Sequence, residues 1–214
     1  MSTHVAHHFD DANQQFEAAR LGMWIFLATE VLFFGGMFTS YAYYRTMYPA
    51  AFVEGSKSLD VVLGTINTTV LLLSSFTMVL AVRSAQTDNR RMTTALLAAT
   101  LALGLVFLGI KAYEYAAKFA EHHVPGPNFE FHQLHEGAVD PNHVELFFSL
   151  YFGMTGLHAL HMVIGAGLVT YVAASAWRER FSSHYYTPVE ITGLYWHFVD
   201  IVWVFLFPLL YLVR

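Results

Sequence analysis

The chain has 214 residues and is 56% hydrophobic but only 13% charged, with no cysteine and a formal net charge of −5. A soluble domain carries roughly a quarter of its residues as charge, so much of this surface must face something other than water. The acidic balance excludes a nucleic-acid partner, and the lack of Cys removes disulfides, iron–sulfur clusters, thiolate metal sites and cysteine nucleophiles.

Residues 1–20 form a polar N-terminal segment holding His4, His7, His8, Asp10, Asp11 and Glu17. With no basic start region it does not read as a cleaved secretory signal. Five apolar runs follow, at 21–44, 61–82, 92–115, 146–177 and 191–213, each matching the ~20 residues that cross a bilayer. Only four charged side chains fall within them: Glu30, Lys111, Glu114 and Asp200. The second, fourth and fifth runs show no polar face at a period of 3.6, as a water-soluble bundle would require. The composition therefore predicts an all-α integral membrane bundle of five transmembrane helices, a single domain over 21–213.

Orientation follows from Lys and Arg in the connections. Arg20, Arg83, Arg90, Arg91, Arg178 and Arg180 lie on one side, mostly in short loops at helix ends; Arg45, Lys57, Lys111, Lys118 and Arg214 lie on the other. This places the N-terminus in the cytoplasm and the C-terminus outside. The connection 116–145 is acidic and long, with His122, His123, His132, His135 and His143. Such a tract is either a solvated loop or a transition-metal binder.

The polar residues inside the spans are the candidates for chemistry. Glu30 lies about 14 Å into a hydrocarbon core of about 30 Å, with Phe26, Leu27, Phe33 and Phe34 as its helical neighbours. An intramembrane carboxyl is a functional suspect by default; the plainer reading is a neutral acid hydrogen-bonded to a neighbouring helix. His197 and Asp200 are three apart and share a helix face, as do His158 and His161. Those four side chains either hold zinc or iron, as in a stand-alone membrane metalloenzyme, or make interhelical hydrogen bonds. Lys111 and Glu114 read as an ion pair near the outer end of the third span. Asn67, Thr68, Thr69, Ser74 and Ser75 read as packing residues of the second span or as a contact face for another protein. A proton-coupled carrier built on Glu30 is a weaker alternative, since broken helices and repeats are not evident.

Several of these stretches resemble one family, subunit III of the haem–copper respiratory oxidases, in its short five-helix bacterial form. The resemblance rests on Tyr195-Trp196-His197-Phe198-Val199-Asp200 with Ile201-Val202-Trp203, and on Ala28-Thr29-Glu30-Val31-Leu32-Phe33-Phe34. Asn67-Thr68-Thr69, Glu114-Tyr115 and the run from Thr155 to Gly165 extend it, in family order, over nearly the whole chain. It implies a non-catalytic subunit of a proton-translocating terminal oxidase such as cytochrome c oxidase, in the bacterial cytoplasmic membrane. Such a subunit packs on subunit I, supports proton uptake and active-site stability, and binds phospholipid.

The resemblance further implies that this chain has no cofactor, with haem and copper in subunit I and copper in subunit II if cytochrome c is the donor. Partners would be subunits I and II, a small subunit IV in some assemblies, phospholipids, and cytochrome c through the complex. Glu30 matches the family's buried carboxyl, while Asn67, His158, His161, His197 and Asp200 match its buried polar positions. Arg178 matches a residue that meets a lipid headgroup. The first span aligns with the third of seven-span members, so the two-helix arm that walls their lipid cleft has no counterpart here. The alternatives within this reading are subunit III of a quinol oxidase and a homologue associated with nitric oxide reductase.

Overall fold

A computed structural model describes residues 9–127, 129–131, 139–178, 181–182 and 185–213. His4, His7, His8, His132, His135, Arg180 and Arg214 lie outside the described residues. Six helices run in order: α1 Ala12–Met47, α2 Pro49–Lys57, α3 Val61–Gln86, α4 Arg90–Ala120, α5 Pro141–Trp177 and α6 Thr187–Tyr211. All but α2 are long and apolar enough to cross a membrane. Among the described residues the only β pairing is an isolated bridge between Ser182 and Tyr185.

The helices outrun the apolar segments because polar caps set their ends. Asp11 accepts from the Gln14 N–H and starts α1 at residue 12, inside the polar N-terminal segment. Asp140 accepts from the Asn142 N–H, and Pro141 occupies the first turn of α5, where its missing N–H costs nothing. At the other end of the His-rich stretch α4 continues to Ala120, where buried Lys118 donates to the Ser58 carbonyl (2.9 Å). The connection predicted over 116–145 is therefore only 121–140.

Buried positions on α3 (64, 67, 71, 74, 78, 81, 85) and α4 (93, 97, 100, 104, 107, 111, 114, 118) alternate by three and four. That spacing, with small residues along it, gives the close side-by-side packing of a left-handed pair. α5 and α6 complete a four-helix core, with α3 also touching α6 and α4 touching α5. Trp196 of α6 is wedged into this core between Gly104 of α4 and Gly165 of α5, and donates to Ser74 Oγ of α3 (3.1 Å). A Cβ on Gly104 would lie 2.7 Å from the Trp196 ring, so only glycine admits the indole here.

α1 stands outside the four-helix core, against α6 and α5. Its inner row includes the buried Leu27, Phe34 and Tyr41. Tyr41 donates its hydroxyl to the Leu209 carbonyl, one of the unpaired acceptors at the end of α6. At that same end α2, too short to register as an apolar run, lays fully buried Phe52 edge-on against Tyr41 and Phe147. At the opposite end of α1, Arg20 approaches Glu190 of α6 (3.7 Å).

Candidate functional site

Glu30 and His161 are brought together across α1 and α5. Glu30 Oε2 lies 3.2 Å from His161 Nε2, and His161 Nδ1 lies 2.8 Å from the Leu157 carbonyl of its own helix. A carbonyl only accepts, so Nδ1 carries a hydrogen and donates it. A neutral ring then presents a bare Nε2, and the contact to Glu30 holds one proton between carboxyl and imidazole. The geometry suits both a neutral acid–imidazole pair and an ion pair. Phe34 packs edge-on against the imidazole (5.3 Å), and the Tyr195 hydroxyl donates to the His161 carbonyl (3.0 Å). The pair is not sealed: 19% of the Glu30 side chain and 13% of that of His161 remain exposed. It therefore sits near the middle of two long helices with one side open to whatever covers α1.

His158 is three residues from His161 and goes elsewhere. It is fully interior, its ring 5.5 Å from that of Phe107 and 5.1 Å from that of Trp203. His197 turns to α3, where its Nδ1 lies 2.8 Å from Ser75 Oγ; Asp200 stands 4.0 Å from the same nitrogen. The four side chains expected to hold metal in a metalloenzyme thus point to three different places. Among the described residues, no three His, Asp or Glu side chains form a group that could hold a metal ion. The metalloenzyme alternative built on those four side chains fails on that geometry, because His161 turns to Glu30, His158 to Trp203 and His197 to Ser75.

The Lys111–Glu114 ion pair predicted near a span end is a buried network. Lys111 Nζ donates to Glu114 Oε2 (2.9 Å), Tyr211 OH (2.9 Å) and Tyr151 OH (3.2 Å), using all three of its hydrogens. Both tyrosines in turn donate to Glu114 Oε1, Tyr151 at 2.9 Å. The rings of Tyr115, Tyr151, Trp203 and Tyr211 surround the ammonium at 5.1–5.6 Å. Nothing in the spacing of the chain named Tyr151 and Tyr211. The available signal was chemical, since a Lys and a Glu deep in a span need hydroxyl partners that only tyrosines on facing helices could reach.

A groove of about 460 Å³ opens between α1 and α6, lined by Trp24, Val31, Phe34, Gly35, Phe38 and Phe205 among others, with His197 at its wall. Asn67 is buried in the core, and Arg178 caps α5 from an exposed position.

The family profile for cytochrome c oxidase subunit III matches residues 2–213. The chain belongs to that family. A cytochrome c oxidase subunit 3 of Synechocystis sp. is 34% identical over 195 residues, 89% of this chain and 74% of that protein. A second, from Thermostichus vulcanus, is 33% identical over 207 residues, covering 95% and 91%. A probable quinol oxidase subunit 3 of Staphylococcus epidermidis is 29% identical over 214 residues, covering 99% and 96%.

Proposed function

We propose that this chain is the non-catalytic subunit III of a haem–copper terminal oxidase, packed on subunit I, with α1 and its Glu30–His161 pair serving proton uptake. The observation that carries the reading is that pair: a carboxyl and an imidazole 3.2 Å apart near the middle of α1 and α5, with an open side on the least embedded helix. A group so placed can hold a proton next to a partner's uptake route without supplying a redox centre. Haem and copper belong to subunit I, and copper to subunit II when cytochrome c is the donor. Cytochrome c as donor follows the two relatives of higher identity, while the Staphylococcus relative keeps the quinol oxidase reading in play. The chain lies in the bacterial cytoplasmic membrane, N-terminus inside, as its short Arg-bearing loops direct.

Replacing Glu30 by glutamine tests the proton role. The amide of Gln still donates to His161 Nε2 but cannot release the proton. Glu30→Gln is expected to assemble normally, because that hydrogen bond is kept, and to lower proton uptake during sustained turnover severalfold. Proton uptake by the reconstituted oxidase in vesicles measures it. Unchanged uptake, or loss of assembly, would remove Glu30 from the mechanism.

Lipid binding falls on the α1–α6 groove, whose volume and apolar aromatic walls suit one acyl chain. Arg178 at the membrane surface suits an anionic headgroup. A side chain at Gly35 would project into the groove, and a Cβ there meets nothing within 4 Å. Gly35→Leu is expected to fold and assemble while releasing bound phospholipid, about one molecule per chain, as counted by mass spectrometry of the purified oxidase. An unchanged lipid count would place the lipid elsewhere.

A further inference from the structure

The Glu30–His161 pair leaves one polar atom over. His161 uses both ring nitrogens, Nδ1 on the Leu157 carbonyl and Nε2 on Glu30 Oε2. Glu30 Oε1 makes no hydrogen bond among the described residues, and 19% of the Glu30 side chain is open to the outside of the bundle. The exposed side chains one turn away are apolar: Phe26 and Phe33 on α1 and Ile164 on α5.

That oxygen needs a donor in either protonation state of the pair. Nδ1 spends its hydrogen on the Leu157 carbonyl, so the Oε2–Nε2 contact holds a proton of its own, on one group or the other. Oε1 is then the carbonyl oxygen of a neutral acid or the second oxygen of a carboxylate, and both only accept. Acyl chains have no donor to give. On the placement set by the apolar run 21–44, Glu30 is about 14 Å into the hydrocarbon, beyond the reach of lipid headgroups.

The donor therefore comes from protein, and α1 is the helix with surface to spare. Only 11% of its apolar stretch is buried within the chain, against 28% or more in the other four spans. Ionisable groups inside a membrane pair with neighbours rather than face lipid, and hydrogen bonds between helices hold them in register. We infer that the seam between α1 and α5 is a docking surface for a transmembrane helix of the partner subunit, and that this helix presents a hydrogen-bond donor to Glu30 Oε1. The inference rests on the reading of the chain as an oxidase subunit and adds the face of the contact and its chemistry.

Photocrosslinking in the intact complex tests the seam. Phe33→benzoylphenylalanine keeps an aromatic ring at an exposed position on the face of Glu30, and irradiation joins it to whatever lies against it. Membranes are irradiated, the chain is purified through a tag in mild detergent, and the joined peptide is sequenced by mass spectrometry. The expected product is a single transmembrane segment of the partner subunit, with a side chain carrying a hydrogen-bond donor within one turn of the joined residue. Replacing that donor by an apolar residue should lower the amount of this chain retained on the purified complex severalfold, because Glu30 is then stranded at a dry interface. Phe26→benzoylphenylalanine, one turn earlier on the same face, serves should the first variant fail to assemble. Attachment to lipid alone would overturn the inference. So would a joined segment without a donor, or a donor whose replacement changes nothing. The oxidase reading is judged separately, by whether oxidase subunits are recovered with the chain.

Discussion

Lys111→Met is expected to cost the bundle about 3–5 kcal/mol, because removing one partner of a buried ion pair strands the other. Glu114 would keep its two tyrosine donors but lose the ammonium that neutralises it, at a position 5% exposed. The four aromatic rings arranged around Nζ would also lose the cation they face. Glu114→Leu should cost about as much, leaving a buried ammonium bonded only to two hydroxyls. The double variant Lys111→Met with Glu114→Leu removes both charges together and is expected to recover at least half of the loss, since a buried pair replaced by apolar groups is often near neutral. Retention of this chain in the solubilised oxidase during a temperature ramp provides the measurement. If Lys111→Met alone held as well as the unaltered chain, the network would be shown to contribute nothing to the bundle.

The second large effect is steric. Gly104→Leu would drive a branched side chain into the Trp196 ring, where even the first carbon lies 2.7 Å and 2.9 Å from ring atoms. The indole has no retreat: Gly165 backs it on the far side, where an added Cβ would meet it at 3.1 Å, and its N–H is committed to Ser74. Gly104→Ala should cost about 1–3 kcal/mol by overpacking, and Gly104→Leu should prevent α4, α5 and α6 from closing at all. Gly109→Ala, on the same helix with nothing within 4 Å of the new carbon, is expected to be silent. Near-ultraviolet circular dichroism of the tryptophans and the yield of folded chain distinguish the three variants; a silent Gly104→Leu would mean that Trp196 does not occupy the wedge.

The five spans were legible because stretches of about twenty residues with almost no charge have only one stable placement in a membrane. α2 was not, since nine residues containing Gly55 and Ser56 show neither the length of a span nor a long repeating pattern, and Phe52 is held by tertiary contacts alone. The bounds of the His-rich connection moved for a similar reason. Hydropathy marks where lipid ends, whereas Asp140 with Pro141, and Lys118 reaching Ser58, mark where the helices end.

For the site, spacing reported faces but not partners. From the sequence, Glu30 is either a proton-handling group or a neutral acid hydrogen-bonded to a neighbouring helix, and His161 shares a face with His158; that Glu30 and His161 meet depends on α1 lying against α5, which no local pattern encodes. At a spacing of three, His197 and Asp200 share a helix face and could satisfy one another. The imidazole instead takes the Ser75 hydroxyl at 2.8 Å, and the carboxyl stays at 4.0 Å. A hydroxyl on a facing helix can approach a ring nitrogen head-on, which a carboxylate one turn along the same helix does not do here.

Purification through a tag on the chain in mild detergent tests whether it serves as subunit III of a haem–copper terminal oxidase. A visible difference spectrum and the identities of the co-purifying proteins are read together. A haem a or haem o oxidase is expected to be recovered with its subunits I and II, and a copper-site subunit II would assign cytochrome c as the donor. Recovery of the chain alone, without haem and without an oxidase subunit, would contradict that role.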